Sequence, residues 1–275
     1  MPQRMPAARR PDVSADSRAL REASPVTLFC LPYAGGHSMT YRGWRDLLPS
    51  WIECVPLDLP GHGRLRAMSP LSDWPALIDA LIDAIGPLPA QDVAIFGHSM
   101  GALVGLELAH ALRERTGRTP AWLGVSACVA PLRRDYETKW LDCSVGEMVD
   151  ELRRLGGTPE ALLEDEEFLD LALPVLRADF HLCATYVRRA HDVRKPLDCP
   201  VAVFGGRDDT VSEQSENLSA WCHETIAQFS EHTLDGGHFF VETARRQLTR
   251  DIATALRDVP GVANRSPAIV AAGCA

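Results

Sequence analysis

Residues 93–103 read Val-Ala-Ile-Phe-Gly-His-Ser-Met-Gly-Ala-Leu: a short apolar strand, a G-x-S-x-G turn, then a helix-forming run. A strand that passes through such a turn directly into a helix belongs at the C-terminal edge of a parallel sheet. Glycines are needed two residues either side of the serine, because side chains there would strike the packed strand and helix. Ser99 is thereby a candidate nucleophile. The plainer reading is a helix N-terminus in which Ser99 caps the amides that follow it.

From Val26 onward short apolar runs alternate with amphipathic stretches, the pattern of β/α units around a mostly parallel central sheet flanked by helices. Strands are predicted over Val26–Leu31, Ile52–Leu57, Asp92–Phe96, Ala121–Val129, Val201–Phe204 and Ala227–Leu234. Helices are predicted over Trp44–Leu48, Trp74–Ile85, Ser99–Arg115, Glu213–His223 and Val241–Arg257, with stops at Gly86-Pro87 and at Gly117. Between about 132 and 196 the alternation breaks into helices alone, over Val145–Leu155, Pro159–Leu163, Glu166–Leu173 and Val175–Arg189. An insertion of this kind reads as a helical lid that excludes water and shapes a pocket, or as a helical subdomain that only covers core. One α/β domain is expected over 25–259, with a disordered leader over 1–24 and a flexible tail over 260–275.

The formal net charge of -9 and the pI near 5.5 argue against a nucleic-acid binder, and no basic stripe with interleaved aromatics occurs. The arginines of the first 24 residues accompany no apolar core, so no secretory signal is read there. No apolar run approaches the ~20 residues needed to span a bilayer. The eight cysteines show no C-x-x-C pair and no zinc spacing. Reduced, mostly buried thiols in a cytoplasmic protein are the expectation, with no metal, no cofactor and a monomeric state.

A serine hydroxyl is a weak nucleophile at neutral pH and needs a base, which in turn needs an orienting carboxylate. Past the fifth predicted strand the chain runs Gly205-Gly206-Arg207-Asp208-Asp209, and past the sixth it runs Asp235-Gly236-Gly237-His238-Phe239-Phe240. The order serine, acid, histidine at the ends of successive strands is similar to that of the α/β-hydrolase fold. His238, on a loop behind two glycines, is the candidate base; the other eight histidines read as turn, surface or helix residues. Of the adjacent carboxylates, three residues on from Gly206 gives Asp209 as the acid, with Asp208 as the alternative. Asp235 reads as a turn former. A tetrahedral intermediate needs two amides, expected from Met100 and from Ala34 in the loop Leu31-Pro32-Tyr33-Ala34-Gly35-Gly36. A phosphate cradle is the competing reading of Gly35-Gly36, but G-K-[ST] and G-x-G-x-x-G spacings are missing.

Several runs together resemble the type II thioesterases that accompany polyketide and nonribosomal peptide synthases. They are Leu31–Gly36, Pro60-Gly61-His62-Gly63, Phe96–Gly101, Leu155-Gly156-Gly157-Thr158-Pro159, Arg177-Ala178-Asp179-Phe180 and Gly236-Gly237-His238-Phe239, spread over Val26–Arg257. The resemblance implies an α/β-hydrolase fold with a helical lid, and hydrolysis of acyl thioesters on the phosphopantetheine arm of acyl or peptidyl carrier proteins, which clears stalled or wrongly primed units. It implies Ser99, Asp209 and His238 as catalytic residues and Ala34 and Met100 as the oxyanion hole. Two departures stand out: Tyr33 replaces the His or Phe of many relatives, and Thr210-Val211 follow Asp209 where relatives often carry a proline. The second keeps Asp208 open.

Arg133, Arg134, Arg188, Arg189, Arg194 and Lys195 flank the lid, where they would meet an acidic carrier protein or simply face solvent. Rival functions are a medium- or long-chain fatty acyl-carrier-protein thioesterase and a carboxylester hydrolase on the same residues. From another class comes a non-catalytic scaffold that binds acyl carriers.

Overall fold

The computed structural model describes residues 25–186, 194–260 and 262. The expected leader over 1–24 and most of the tail lie outside them, as do Arg188 and Arg189. Strands β1 (Val26–Leu31), β2 (Ile52–Pro56), β3 (Val93–His98), β4 (Trp122–Ser126), β5 (Val201–Gly206) and β6 (Phe229–Leu234) form one sheet. Their order is β2-β1-β3-β4-β5-β6, and every neighbouring pair is parallel. The four inner strands are buried along their whole length, which is why they read as unbroken apolar runs, while the edge strands β2 and β6 are partly exposed.

Helices cover both faces: α1 (Trp44–Leu47), α2 (Trp74–Ile85), α3 (Met100–Thr116), α7 (Ser215–Ser219), α8 (Phe240–Thr243) and α9 (Arg245–Arg257). Alternation along each strand sorts its side chains between two cores. Ile95 and Leu123 pack with Leu77, Leu81 and Leu103 on one side, and Phe96 and Trp122 pack with Trp44, Leu248 and Ile252 on the other. Asp73 starts α2 by accepting the Ala76 amide, and Gly117, at φ 68°, ends α3.

The insertion carries α4 (Val145–Leu155), α5 (Glu160–Leu163) and α6 (Glu166–Thr185), and no strand among its described residues. These helices share a third core of Met148, Leu152, Leu169, Leu173, Leu176 and Phe180. The two helices predicted on either side of Pro174 are one. Proline removes one amide donor and its ring crowds the Asp170 carbonyl, but buried Leu169, Leu173 and Leu176 anchor α6 on both sides of it, and the helix continues. Two other predicted helices divide. The stretch over Glu213–His223 is the short α7 followed by a 3-10 turn over Ala220–Glu224, and that over Val241–Arg257 is interrupted at Ala244. β4 ends three residues earlier than expected because Ala127 turns the chain at φ 51°.

The chain runs outward from β1 to β2 and returns on the other side as β3, so the loops leaving β1 and β3 part from each other at the C-terminal edge of the sheet. Open α/β sheets form their ligand crevices at such a switch point.

Candidate active site

Ser99 stands in the turn between β3 and α3 with φ 54° and ψ −118°, a backbone region that side-chain-bearing residues seldom occupy. The flanking glycines are required by contact. A Cβ on Gly97 would lie 1.9 Å from the Gly101 carbonyl oxygen, and one on Gly101 would lie 2.2 Å from that of Leu31. The Ser99 amide donates to the Ser126 carbonyl at 2.7 Å, fixing the turn to β4. Its side chain makes no capping bond to α3, so the plainer reading of the pentapeptide is overturned. The hydroxyl instead meets His238 Nε2 at 3.0 Å.

His238 leaves the loop after β6, and its Nδ1 lies 3.2 and 3.1 Å from Asp209 Oδ1 and Oδ2. A carboxylate accepts and cannot donate, so Nδ1 carries the hydrogen and Nε2 is free to accept from the Ser99 hydroxyl. Asp209 is buried, and its Oδ1 also accepts the Val211 amide. Burial alone would raise its pKa, but hydrogen bonding and charge from His238 hold the carboxyl below its ordinary value. Asp208 is exposed and engages the loop only through its backbone, its amide donating to the Gly236 carbonyl. The structure therefore brings Asp209 to the histidine and leaves Asp208 outside. Asp235 is exposed and pairs with Arg207.

Met100 opens α3, where the first amides of a helix have no partner within it and carry the positive end of its dipole. Met100 and Ala34 line the same cavity as Ser99 and His238. Two chambers meet at that serine. One, of about 560 Å³, is bounded by Leu103, Val129, Trp140, Phe180 and Cys183; the other, of about 490 Å³, by His37, Leu152, Gly157, Leu176 and Phe239. Leu155 of α4 and Phe180 of α6 border both, so the insertion roofs the junction.

Several polar residues escaped the sequence reading. His98, grouped with the turn, surface or helix histidines, is the fully buried last residue of β3. Its Nε2 donates to the His238 carbonyl at 2.8 Å and its Nδ1 accepts from the Ser126 hydroxyl at 2.8 Å. Burial, and then the nearby His238, push its pKa down to about 3, so it orients the His238 backbone as a neutral ring. His62 and Asp179 are also buried and bond to each other. The signal available in the sequence was their place in the runs Pro60–Gly63 and Arg177–Phe180.

Among the described residues no group of three or more His, Cys, Asp or Glu side chains gathers as a metal site would, and no helix is long and apolar enough to cross a membrane. The seven cysteines among the described residues are free; Cys30, Cys128, Cys143 and Cys199 are buried, and Cys222 is exposed. Of the basic residues around the insertion, Arg134 donates to the Cys183 carbonyl and Arg194 pairs with Glu107, whereas Arg133 and Lys195 are exposed.

A thioesterase domain family model matches residues 26–256. The gramicidin S biosynthesis protein GrsT of Aneurinibacillus migulanus is 35% identical over 243 residues, spanning 86% of this chain and 91% of that protein. Among solved structures, RedJ, the thioesterase from the prodiginine biosynthetic pathway in Streptomyces coelicolor, superposes with a TM-score of 0.75 at 33% identity, covering 93% of this chain and 92% of RedJ. YbtT, a type II thioesterase from the yersiniabactin NRPS/PKS biosynthetic pathway, gives 0.76 at 28% identity, covering 88% and 96%.

Proposed function

The chain belongs to the thioesterase family, and from that premise we propose that it is an editing enzyme of polyketide or nonribosomal peptide synthesis, hydrolysing acyl thioesters on the phosphopantetheine arm of carrier proteins with Ser99 as nucleophile. The observation that carries this reading is the line Ser99 Oγ, His238 Nε2, His238 Nδ1, Asp209, placed where two chambers meet. An acyl chain and a pantetheine arm extend in opposite directions from a thioester carbonyl, and two chambers at one serine accommodate both.

In the acylation step Ser99 Oγ attacks the thioester carbonyl and its proton passes to His238 Nε2. Asp209 stabilises the resulting imidazolium. The oxyanion is held by the amides of Met100 and Ala34, donors already in place before charge develops. Collapse breaks the C–S bond, and the departing thiolate takes the proton from Nε2. Water then gives a proton to His238 and attacks the acyl-serine carbonyl. The second collapse releases the acid and returns the proton to Ser99. The roof of Leu155 and Phe180 limits the water that reaches the intermediate.

Acidic carrier proteins would meet the exposed Arg133 and Lys195 at the margin of the insertion, in a monomeric, cytoplasmic enzyme that needs neither metal nor cofactor. The test is hydrolysis of acyl-pantetheine thioesters beside matched oxygen esters, with mass mapping of the trapped acyl-enzyme. A higher kcat/KM for the thioester and an acyl group on the Ser99 peptide are expected. A folded protein that turns over only oxygen esters, or is acylated elsewhere, would overturn the proposal.

A further inference from the structure

A second buried polar cluster lies beside the candidate site, and the mechanism above makes no use of it. Asp179 projects from α6 and is 2% exposed. Its Oδ2 accepts the Gly35 amide at 2.7 Å and faces His62 Nε2 at 2.8 Å. His62 Nδ1 faces the Pro60 carbonyl at 3.0 Å. A carbonyl only accepts, so Nδ1 carries a hydrogen, and Oδ2 of Asp179 stands between the Gly35 amide and His62 Nε2. Burial works against the charged ring, but hydrogen bonding and charge from Asp179 outweigh it and raise the His62 pKa above the ordinary value.

Gly35 is the residue after Ala34, whose amide is assigned to the oxyanion hole. One turn before Asp179, Leu176 also presses on Gly35. A Cβ there would lie 2.8 Å from Leu176 Cδ2, and the backbone φ of +75° already favours glycine. Two residues of one helix thus grip one residue of the loop. On the far side of the loop, Asp58 accepts the Ser38 amide at 2.7 Å and faces its hydroxyl at 3.1 Å, so the segment is clamped at both ends by buried carboxylates. Only one of these clamps, Asp179, comes from the insertion.

We propose that Asp179 is a positioning residue that couples the seating of α6 to the oxyanion hole: by holding the Gly35 peptide it aims the Ala34 amide at the developing oxyanion, with His62 as its buried hydrogen-bond partner. The insertion is then more than a cover. When α6 moves away the loop loses its acceptor and the oxyanion donor loses its aim, so the site is competent only while the roof is seated. The proposal rests on the Ser99 reading. It matters energetically because such a donor contributes only within a few tenths of an ångström of its place, and about 1 Å of misplacement costs on the order of 100-fold in rate.

The test compares wild type, Asp179→Ala and Asp179→Asn on an acyl-pantetheine thioester, and measures binding of two analogues. A trifluoromethyl ketone forms a tetrahedral adduct with Ser99 and reads the oxyanion hole; an unreactive thioether reads only the chambers. Asp179→Ala is expected to lose about 30- to 100-fold in kcat with KM within about 3-fold. The ketone should weaken by a similar factor while the thioether changes by less than about 3-fold. Asp179→Asn, which keeps one acceptor oxygen but no charge, should fall between, and it carries the test alone if the alanine variant does not fold. Normal kcat, or equal weakening of both analogues, would overturn the coupling. Undiminished turnover in Ser99→Ala would instead remove the reading on which it rests.

Discussion

Replacing Asp209 by asparagine keeps the volume and removes the charge behind His238. The carboxylate oxygens lie 3.1 and 3.2 Å from Nδ1, in a side chain only 1% exposed, so solvent screens the pair little. Unit charges about 4 Å apart at an effective dielectric near 20 attract by about 4 kcal/mol. That attraction exists only once His238 has taken the Ser99 proton, so most of it belongs to the transition state. Losing about 3–4 kcal/mol slows the reaction by about 10²- to 10³-fold. The amide NH₂ also favours the imidazole tautomer with its hydrogen on Nε2, which cannot accept from Ser99 and pushes the loss towards about 10⁴-fold. Asp208→Asn, an exposed neighbour whose backbone bond to Gly236 survives the change, should stay within about 2-fold of wild type. Steady-state hydrolysis of an acyl-pantetheine thioester, with near-UV circular dichroism to establish folding, compares the two. A folded Asp209→Asn enzyme with near-normal kcat/KM, or a large loss confined to Asp208→Asn, would refute the assignment.

Gly101→Ala places a methyl 2.2 Å from the Leu31 carbonyl oxygen, about 1 Å inside contact distance, so β1 or α3 must shift. A melting temperature lower by about 5 °C or more and a kcat reduced on the order of 100-fold are expected; an unchanged thermal scan and full turnover would contradict the elbow geometry. His62→Gln should show a pH-dependent stability deficit. Because the folded-state pKa of His62 is raised, its contribution is fully present below the unfolded value of about 6.5 and is lost as pH rises through the folded one. The melting difference from wild type should therefore shrink towards alkaline pH, and a difference that grew there would reverse the sign of the account. Charge reversal at Arg133 and Lys195 should lower kcat/KM on acyl-carrier protein several-fold at low salt and leave acyl-pantetheine hydrolysis unaltered. An equal rate on the carrier would remove the docking role.

The sheet was legible because its inner strands are buried on both faces and spell continuous apolar runs, and because glycines mark the turn around Ser99. His238 and Asp209 followed from their places after β6 and β5. The choice of Asp209 over Asp208 was only a count of residues; direction decides it, and direction depends on how the 3-10 turn after Asp209 swings one carboxylate inward. Pro174 misled for a related reason. Local propensity marks a helix break, whereas the leucines buried on both sides of it hold α6 through. His98, His62 and Asp179 were least legible, because their roles lie in hydrogen bonds to residues 28 to 144 positions away, which no local pattern encodes.

The central claim is that Ser99 cleaves acyl groups from carrier-borne pantetheine. Intact-mass spectrometry of an acyl-loaded carrier protein, incubated with wild type or with Ser99→Ala, reads that step without a surrogate substrate. The account predicts conversion of acyl-carrier to the free-thiol carrier by wild type and about 10³-fold slower conversion by folded Ser99→Ala. An acyl-carrier that persists with wild type, or is unloaded equally fast by the variant, would contradict it.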